Sequence, residues 1–350
     1  MMKKIIASAI VVSIFASCKK DADPIIVVPP SSGSSIQLNG KKGSEVGTSA
    51  GNSVYVDFSK DKQYPIARDS WDLGFFTGSE FKVCINNTAA AYAVATSKTD
   101  MNAVGTADTV GVKLAFSQAA PSADDFAKMD NINGLQTLIN PSANAAENKV
   151  FIINRGTGGA IAARDYMKVR VLRNGNGYTL QYAALTASNF TTIQVPKSGE
   201  GEFVYLSFST GTTITGFPEK NDWDIQWSYG VYKTAFMGAD VMYLFSDLIV
   251  LNVLQNVQAF ARIYETDAIA NEAFAKFNKD SVSKYSYSND RWTIGSSWRS
   301  ASPSGASVSK SKFYVLKDPS GNMYKIRFIS FDEKDGGTRG KPQLQYELIK

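Results

Sequence analysis

Hydrophobic and polar positions alternate along most of this chain. Val54, Val56 and Phe58 alternate with Tyr55 and Asp57, and Trp71, Leu73 and Phe75 share one face, as do Trp223, Ile225 and Trp227. Period-two alternation predicts strands buried on one side. Arg164 to Leu172 and Met323 to Phe331 read the same way and are rich in Val, Ile, Tyr and Phe. Helical spacing is scarce. Ser122-Ala123-Asp124-Asp125 predicts an N-cap and acidic first turn ahead of Phe126 and Met129, and Ala268 to Phe277 is the second such stretch. Strands at short spacing with turn residues between them predict antiparallel β-sandwiches, and the lack of βαβ alternation argues against a Rossmann or TIM architecture.

The pattern occurs twice. Val54-Tyr55-Val56-Asp57-Phe58-Ser59 returns as Val204-Tyr205-Leu206-Ser207-Phe208-Ser209, and Ser70-Trp71-Asp72-Leu73 as Asp222-Trp223-Asp224-Ile225. Phe126-Ala127-Lys128-Met129 returns as Phe274-Ala275-Lys276-Phe277, Lys168-Val169-Arg170 as Lys325-Ile326-Arg327, and Leu180-Gln181-Tyr182 as Leu344-Gln345-Tyr346. Five matches in one order imply a tandem duplication. Copy 1 is assigned to residues 45–195 and copy 2 to 200–350, each expected to bury its own core, with Pro196-Lys197-Ser198-Gly199 at the seam. The last hairpin turn, Asn174-Gly175-Asn176-Gly177 in copy 1, is replaced in copy 2 by a longer connection from Asp332 to Pro342.

The first residues follow a different logic. Lys3 and Lys4 precede an apolar run from Ile5 to Phe15 that is shorter than the ~20 residues needed to span a bilayer. Ala16-Ser17-Cys18 then reads as a lipobox, so residues 1–17 are expected to be a signal peptide and Cys18 the lipidated first residue of the mature chain. Residues 18–44 contain Pro24, Pro29, Pro30 and Ser31 to Ser35 around Gly33, and are expected to be a flexible linker without a core. Cys84, within a strand-like run, is expected to be a buried small hydrophobe.

Composition narrows the function classes. The chain has 350 residues, a net charge of +5 and no histidine. The absence of histidine excludes a Ser-His-Asp triad, a His-ligated metal and bis-histidine haem ligation. The charge is too mild to announce nucleic acid. No nucleophile–base pair or metal-ligand series is apparent, so no enzyme is expected.

The lipoprotein signal, the Val-Tyr-Val-Asp-Phe strand, Trp223-Asp224-Ile225-Gln226-Trp227 and the run from Tyr314 to Phe328 through Asp318-Pro319-Ser320-Gly321 together resemble the HmuY-type haemophore family of surface lipoproteins. The resemblance covers both copies. It implies an all-β fold of two tandem HmuY-like domains, each with a short helix, behind a lipid anchor on the outer membrane and at the cell surface. It also implies haem as ligand for uptake and an outer-membrane haem receptor as partner.

Without histidine, haem iron would take thioether or phenolate ligands or remain partly unligated. Met101, Met237 and Met242 lie after the Trp-Asp strands, where a family-type pocket is expected, and Tyr232 and Tyr243 are the phenolate candidates. No other metal site is expected. Each of these residues is also an ordinary packing residue. The competing reading is a structural or adhesive surface module that binds glycan or protein and has lost haem.

Overall fold

The computed structural model describes residues 28–130, 136–302 and 305–350. The signal segment and Cys18 lie outside the described residues. Copy 1 and the segment before it form β1 (Gly33–Gln37), β2 (Asn52–Asp57), β3 (Lys62–Ala67), β4 (Leu73–Phe76), β5 (Val83–Ile85), β6 (Tyr92–Ala95), β7 (Phe151–Asn154), β8 (Met167–Asn174) and β9 (Gly177–Ala184). Next come β10 (Thr191–Pro196), β11 (Phe203–Ser207), β12 (Thr212–Thr213), β13 (Ile225–Phe236), β14 (Ala239–Leu251) and β15 (Gln258–Ile263). Two short helices, α1 (Asp267–Lys276) and α2 (Lys279–Val282), precede β16 (Arg299–Ser302), β17 (Gly305–Val308), β18 (Lys312–Lys317), β19 (Met323–Ser330) and β20 (Gln343–Leu348).

The strands build two antiparallel sandwiches. A central sandwich packs the sheet β10-β9-β8-β7-β6 against β12-β11-β4-β5, with Leu73, Phe75, Val169, Leu180, Leu206 and Phe208 in its core. A terminal sandwich, holding both chain ends, packs β1-β20-β19-β18-β15 against β14-β13-β2-β3 around Val56, Phe58, Trp227, Leu316, Ile326 and Tyr346. Val54, Val56, Leu73, Phe75, Ile225 and Trp227 fall in strands and in the two cores, as alternation predicts, because one face of each of these strands meets the facing sheet.

The expectation that each copy closes on itself is corrected. The β2–β3 hairpin of copy 1 pairs with β13 of copy 2, and β11 of copy 2 pairs with β4 of copy 1. The registers match under the repeat: Val54 faces Trp227 as Val204 faces Phe75, and Val56 faces Ile225 as Leu206 faces Leu73. Connection length supplies the reason. Closed on itself, copy 1 would have to carry the chain from Ala67, opposite Asn52, to Leu73, opposite Val56, on the far side of β2. That is roughly 13 Å along the strands and 10 Å across two strand spacings. Arg68 to Asp72 would span it only when nearly fully extended, about 20 Å, while also crossing a sheet face. Short hinges of this kind favour exchange.

The expected linker 18–44 is corrected over residues 33–38, its residues 18–27 lying outside the described ones. β1 pairs with β20, and Ile36 faces Leu344 as Ile193 of β10 faces Leu180 of β9. Ile36 and Leu38 are buried in the terminal core. The serine run thus leads into an alternating strand that covers the free edge of β20.

Two details of the repeat also change. Trp71 and Trp223 occupy equivalent places, but each precedes its strand and packs outside the sandwich cores. Trp71 meets Tyr205 at 4.8 Å and Trp223 meets Tyr55 at 5.1 Å, both edge-on. The stretch after Ser122 is a single 3-10 turn, Ala123–Ala127, and is not the counterpart of α1. α1 follows β15, and Lys325 Nζ donates to Phe274 O near its end at 2.7 Å. After β6 the equivalent place is held by the 3-10 turn Met101–Ala103, where Lys168 Nζ donates to Val104 O at 2.9 Å.

Candidate functional site

The longest hairpin extension beyond the repeat lines a large cleft. Between equivalent partners (Leu73 and Ile85 in copy 1, Ile225 and Leu251 in copy 2), the β13–β14 hairpin is fourteen residues longer than β4–β5. Its turn places Met237 and Gly238 at φ 50° and 81°, as a two-residue primed turn requires. A bulge between Ser228 and Gly230 interrupts the ladder, and Asp247 sits opposite it at φ 53°. Bulges bend a strand and re-aim its side chains. Beyond this one the hairpin becomes an arm with two different faces.

One face is packing. Val231, Met242 and Leu244 join Ala90, Tyr92 and Met129 of copy 1 in one apolar cluster. Asn87 fastens it, donating from Nδ2 to Val231 O and accepting from Val231 N, both at 3.1 Å. The other face, with Tyr243 and Phe245 at 4.8 Å, opens on a cleft of about 630 Å³. The facing wall comes from β16–β17 and from the long connection before β20, which contributes Arg339.

The cleft is basic. Arg339 donates to Asp247 Oδ2 at 2.6 Å and to Asp332 at 3.4 Å. Arg299 donates to Ser246 O and, among the described residues, has no carboxylate at salt-bridge distance. The Nε–H groups of Arg299 and Arg339 have no hydrogen-bond partner. Burial lowers the pKa of Arg299, and the neighbouring Arg339 adds to that while Asp247 opposes it.

Tyr229 and Gly159 lie at the base. The Tyr229 hydroxyl donates to Thr48 O, and Arg68 lies over its ring at 4.4 Å. Arg68 is fully buried and donates to the carbonyls of Ala50, Thr88, Gly158 and Gly159 at 2.8–2.9 Å. Burial pulls its pKa down to about 10. Gly159, at φ 63°, is needed here: a Cβ would stand 2.5 Å from Arg68 Nη2.

The residues singled out in the sequence are dispersed. Met101 is buried with Val104, Leu114, Val150 and Ile152 on the outer side of β7. Met242 lies within β14 rather than in a loop, on the packing face of the arm. Met237 is 93% exposed at the turn. Tyr232 and Tyr243 are directly opposite each other in the β13–β14 ladder. Tyr232 packs against Trp292 at 4.0 Å, with its pKa raised by burial, whereas Tyr243 lines the cleft.

Cys84 is partly buried on β5, and burial pushes its thiol pKa up. Tyr229, Arg299 and Arg339 were not apparent from motifs. The available signal was length, since most of the cleft is built where copy 2 is longer than copy 1. Among the described residues no cluster of three or more Asp, Glu, Cys or His could hold a metal ion, and no helix is long and apolar enough to cross a membrane.

Comparison with protein families matches "HmuY protein" to residues 49–192 and again to residues 200–346. No curated protein and no solved structure matches the chain.

Proposed function

Because the chain belongs to the HmuY family in two tandem copies, we propose that it is a surface lipoprotein that binds haem in the cleft beside the β13–β14 arm. The observation that carries this reading is the cleft itself. Its volume suits a drug-sized or cofactor-sized ligand, aromatic rings from Tyr243, Phe245 and Phe236 offer faces to a planar ring, and two arginines offer hydrogen bonds to carboxylates. Tyr243 is the candidate iron ligand, as a phenolate. The protein carries its ligand without transforming it and passes it to an outer-membrane receptor, with Cys18 as the lipid anchor.

The test is a haemin titration of the purified full chain. A shifted Soret band that changes in Tyr243→Phe supports the reading, and no shift in either redox state removes it. A second reading, a module adhering to glycan or protein, is favoured by the apolar arm tip, where Phe236 is 50% exposed beside Met237. The anchor is tested separately. Cys18→Ala should release the protein from the membrane fraction, and a variant that stays membrane-bound with its lipid label would refute the lipidation.

A further inference from the structure

Resting on the haem reading, we infer that this cleft recognises a tetrapyrrole by its carboxylate edge and ring faces rather than by its iron, so that the metal-free porphyrin diacid is a ligand of the same site.

The side chains available to iron are few. The chain has no histidine. Met101 and Met242 are buried in apolar clusters away from the cleft, and Met237 stands at the arm tip. Among the described residues the cleft wall carries no methionine or cysteine, and Tyr229 already spends its hydroxyl on Thr48 O. Of those residues, Tyr243 is the one left to face the iron. A site with one phenol offers the iron one protein ligand where a bis-histidine site offers two, so the rest of the recognition falls on the ring and its carboxylates.

The carboxylate edge is better provided for. Arg299 and Arg339 share a wall, and of the two, among the described residues, Arg339 has carboxylate partners and Arg299 has none. Arg299 has hydrogen-bonding capacity beyond its contact with Ser246 O, and it sits where burial already disfavours its charge. An incoming carboxylate would supply the missing counter-charge in a partly desolvated site, where a charge-assisted, two-pronged contact is strongest. The rings of Tyr243 and Phe245 stand on the facing side.

The experiment uses the full chain with three probes: haemin, metal-free protoporphyrin, and the dimethyl ester of that porphyrin, followed by quenching of protein fluorescence. The diacid is expected to bind within about tenfold of haemin, and the ester roughly tenfold or more weaker, the scale of one lost charged contact. Arg299→Gln should weaken haemin and the diacid alike while leaving the ester unchanged, and Arg299→Lys should recover part of the loss. The ester comparison needs no variant and stands if the substitutions impair folding. Haemin binding without diacid binding would overturn this inference and leave the haem reading intact, as would equal binding of diacid and ester. Failure of all three probes would remove the haem reading and this inference with it.

Discussion

The carboxylate of Asp72 accepts the backbone N–H of Phe208, 136 residues further along the chain, at 2.7 Å. Its repeat counterpart Asp224 accepts the N–H of Phe58 at 2.8 Å. The aspartate of each Trp-Asp motif therefore caps the end of the other copy's arm. Asn86 and Asn252 support the same corners, each donating to the carbonyl of the motif's tryptophan. The two sandwiches are joined by a reciprocal exchange with matched chemistry at both ends.

Phe208→Ala should therefore damage the sandwich of the other copy. Its ring is stacked on Tyr182 within the central core. A cost of about 3–5 kcal/mol is expected from the transfer and cavity contributions. Hydrogen exchange should speed up first in β7 to β9, while Phe58→Ala should expose β18 to β20 instead. Loss confined to each residue's own copy would contradict the exchange.

Cutting the chain between Ser198 and Gly199, through an engineered protease site, should leave the two fragments together on size exclusion. Each fragment places a hairpin in the other's sheet and contributes to both cores. Fragments that separate without denaturant would show that the copies are self-contained.

The two capping aspartates should respond differently to substitution, and Asp224 should carry a pH dependence. Asp72 is held by Arg155 in a two-pronged pair at 2.8 Å, both partners buried. Asp72→Ala leaves that arginine unpaired and should cost about 3–5 kcal/mol. Asp224 instead lies near Asp57 and Asp318, and burial, with those charges, raises its pKa well above the usual carboxylate range. A carboxyl whose pKa is raised by folding keeps its proton in the folded state after the unfolded chain has lost it. Its contribution is then full at acid pH and declines as pH rises from about 4, by up to ~1.4 kcal/mol per pH unit. Asp224→Asn should flatten that decline in denaturation series from pH 4.5 to 8. An unchanged slope would mean that Asp224 does not hold the proton.

Arg68 stands at the hinge between the exchanged arm and β4, and its four carbonyl acceptors come from both sides of that hinge. Arg68→Met should cost about 3 kcal/mol or more, because the buried carbonyls lose their donors. Arg68→Lys should recover little, since one ammonium cannot reproduce the planar fork. Full stability in the lysine variant would show that charge alone suffices.

Much of this was legible in the chain, and for local reasons. Alternation at Val54-Val56-Phe58 and in the Met323 to Phe331 run predicts strands because a half-buried strand needs no information beyond its neighbours. The duplication is visible because equivalent positions such as Lys168 and Lys325 keep the same task, satisfying carbonyls at the end of a short helical turn. The match at Phe126 and Phe274 misled, because two short helical phrases can look alike while packing in unrelated places. Met101 and Met242 could not be placed for a related reason: side-chain type gives the chemistry a residue is capable of, and burial, which holds both inside apolar clusters, decides whether that chemistry is accessible.

Residue pattern alone was enough for most strands, for their repeated order, for the family and for the ligand chemistries that lack of histidine rules out. Which copy each exchanged hairpin completes is a property of the fold, because Val54 and Val204 carry nearly the same apolar face and fit either sheet edge. That choice depends on how far Arg68 to Asp72 can reach, a property of chain geometry rather than of residue pattern. The cleft was decided at the same level. Tyr243, Arg299, Arg339 and Gly159 are far apart in the chain and meet at one cleft, beside the β14 bulge at Ser246-Asp247 opposite Tyr229.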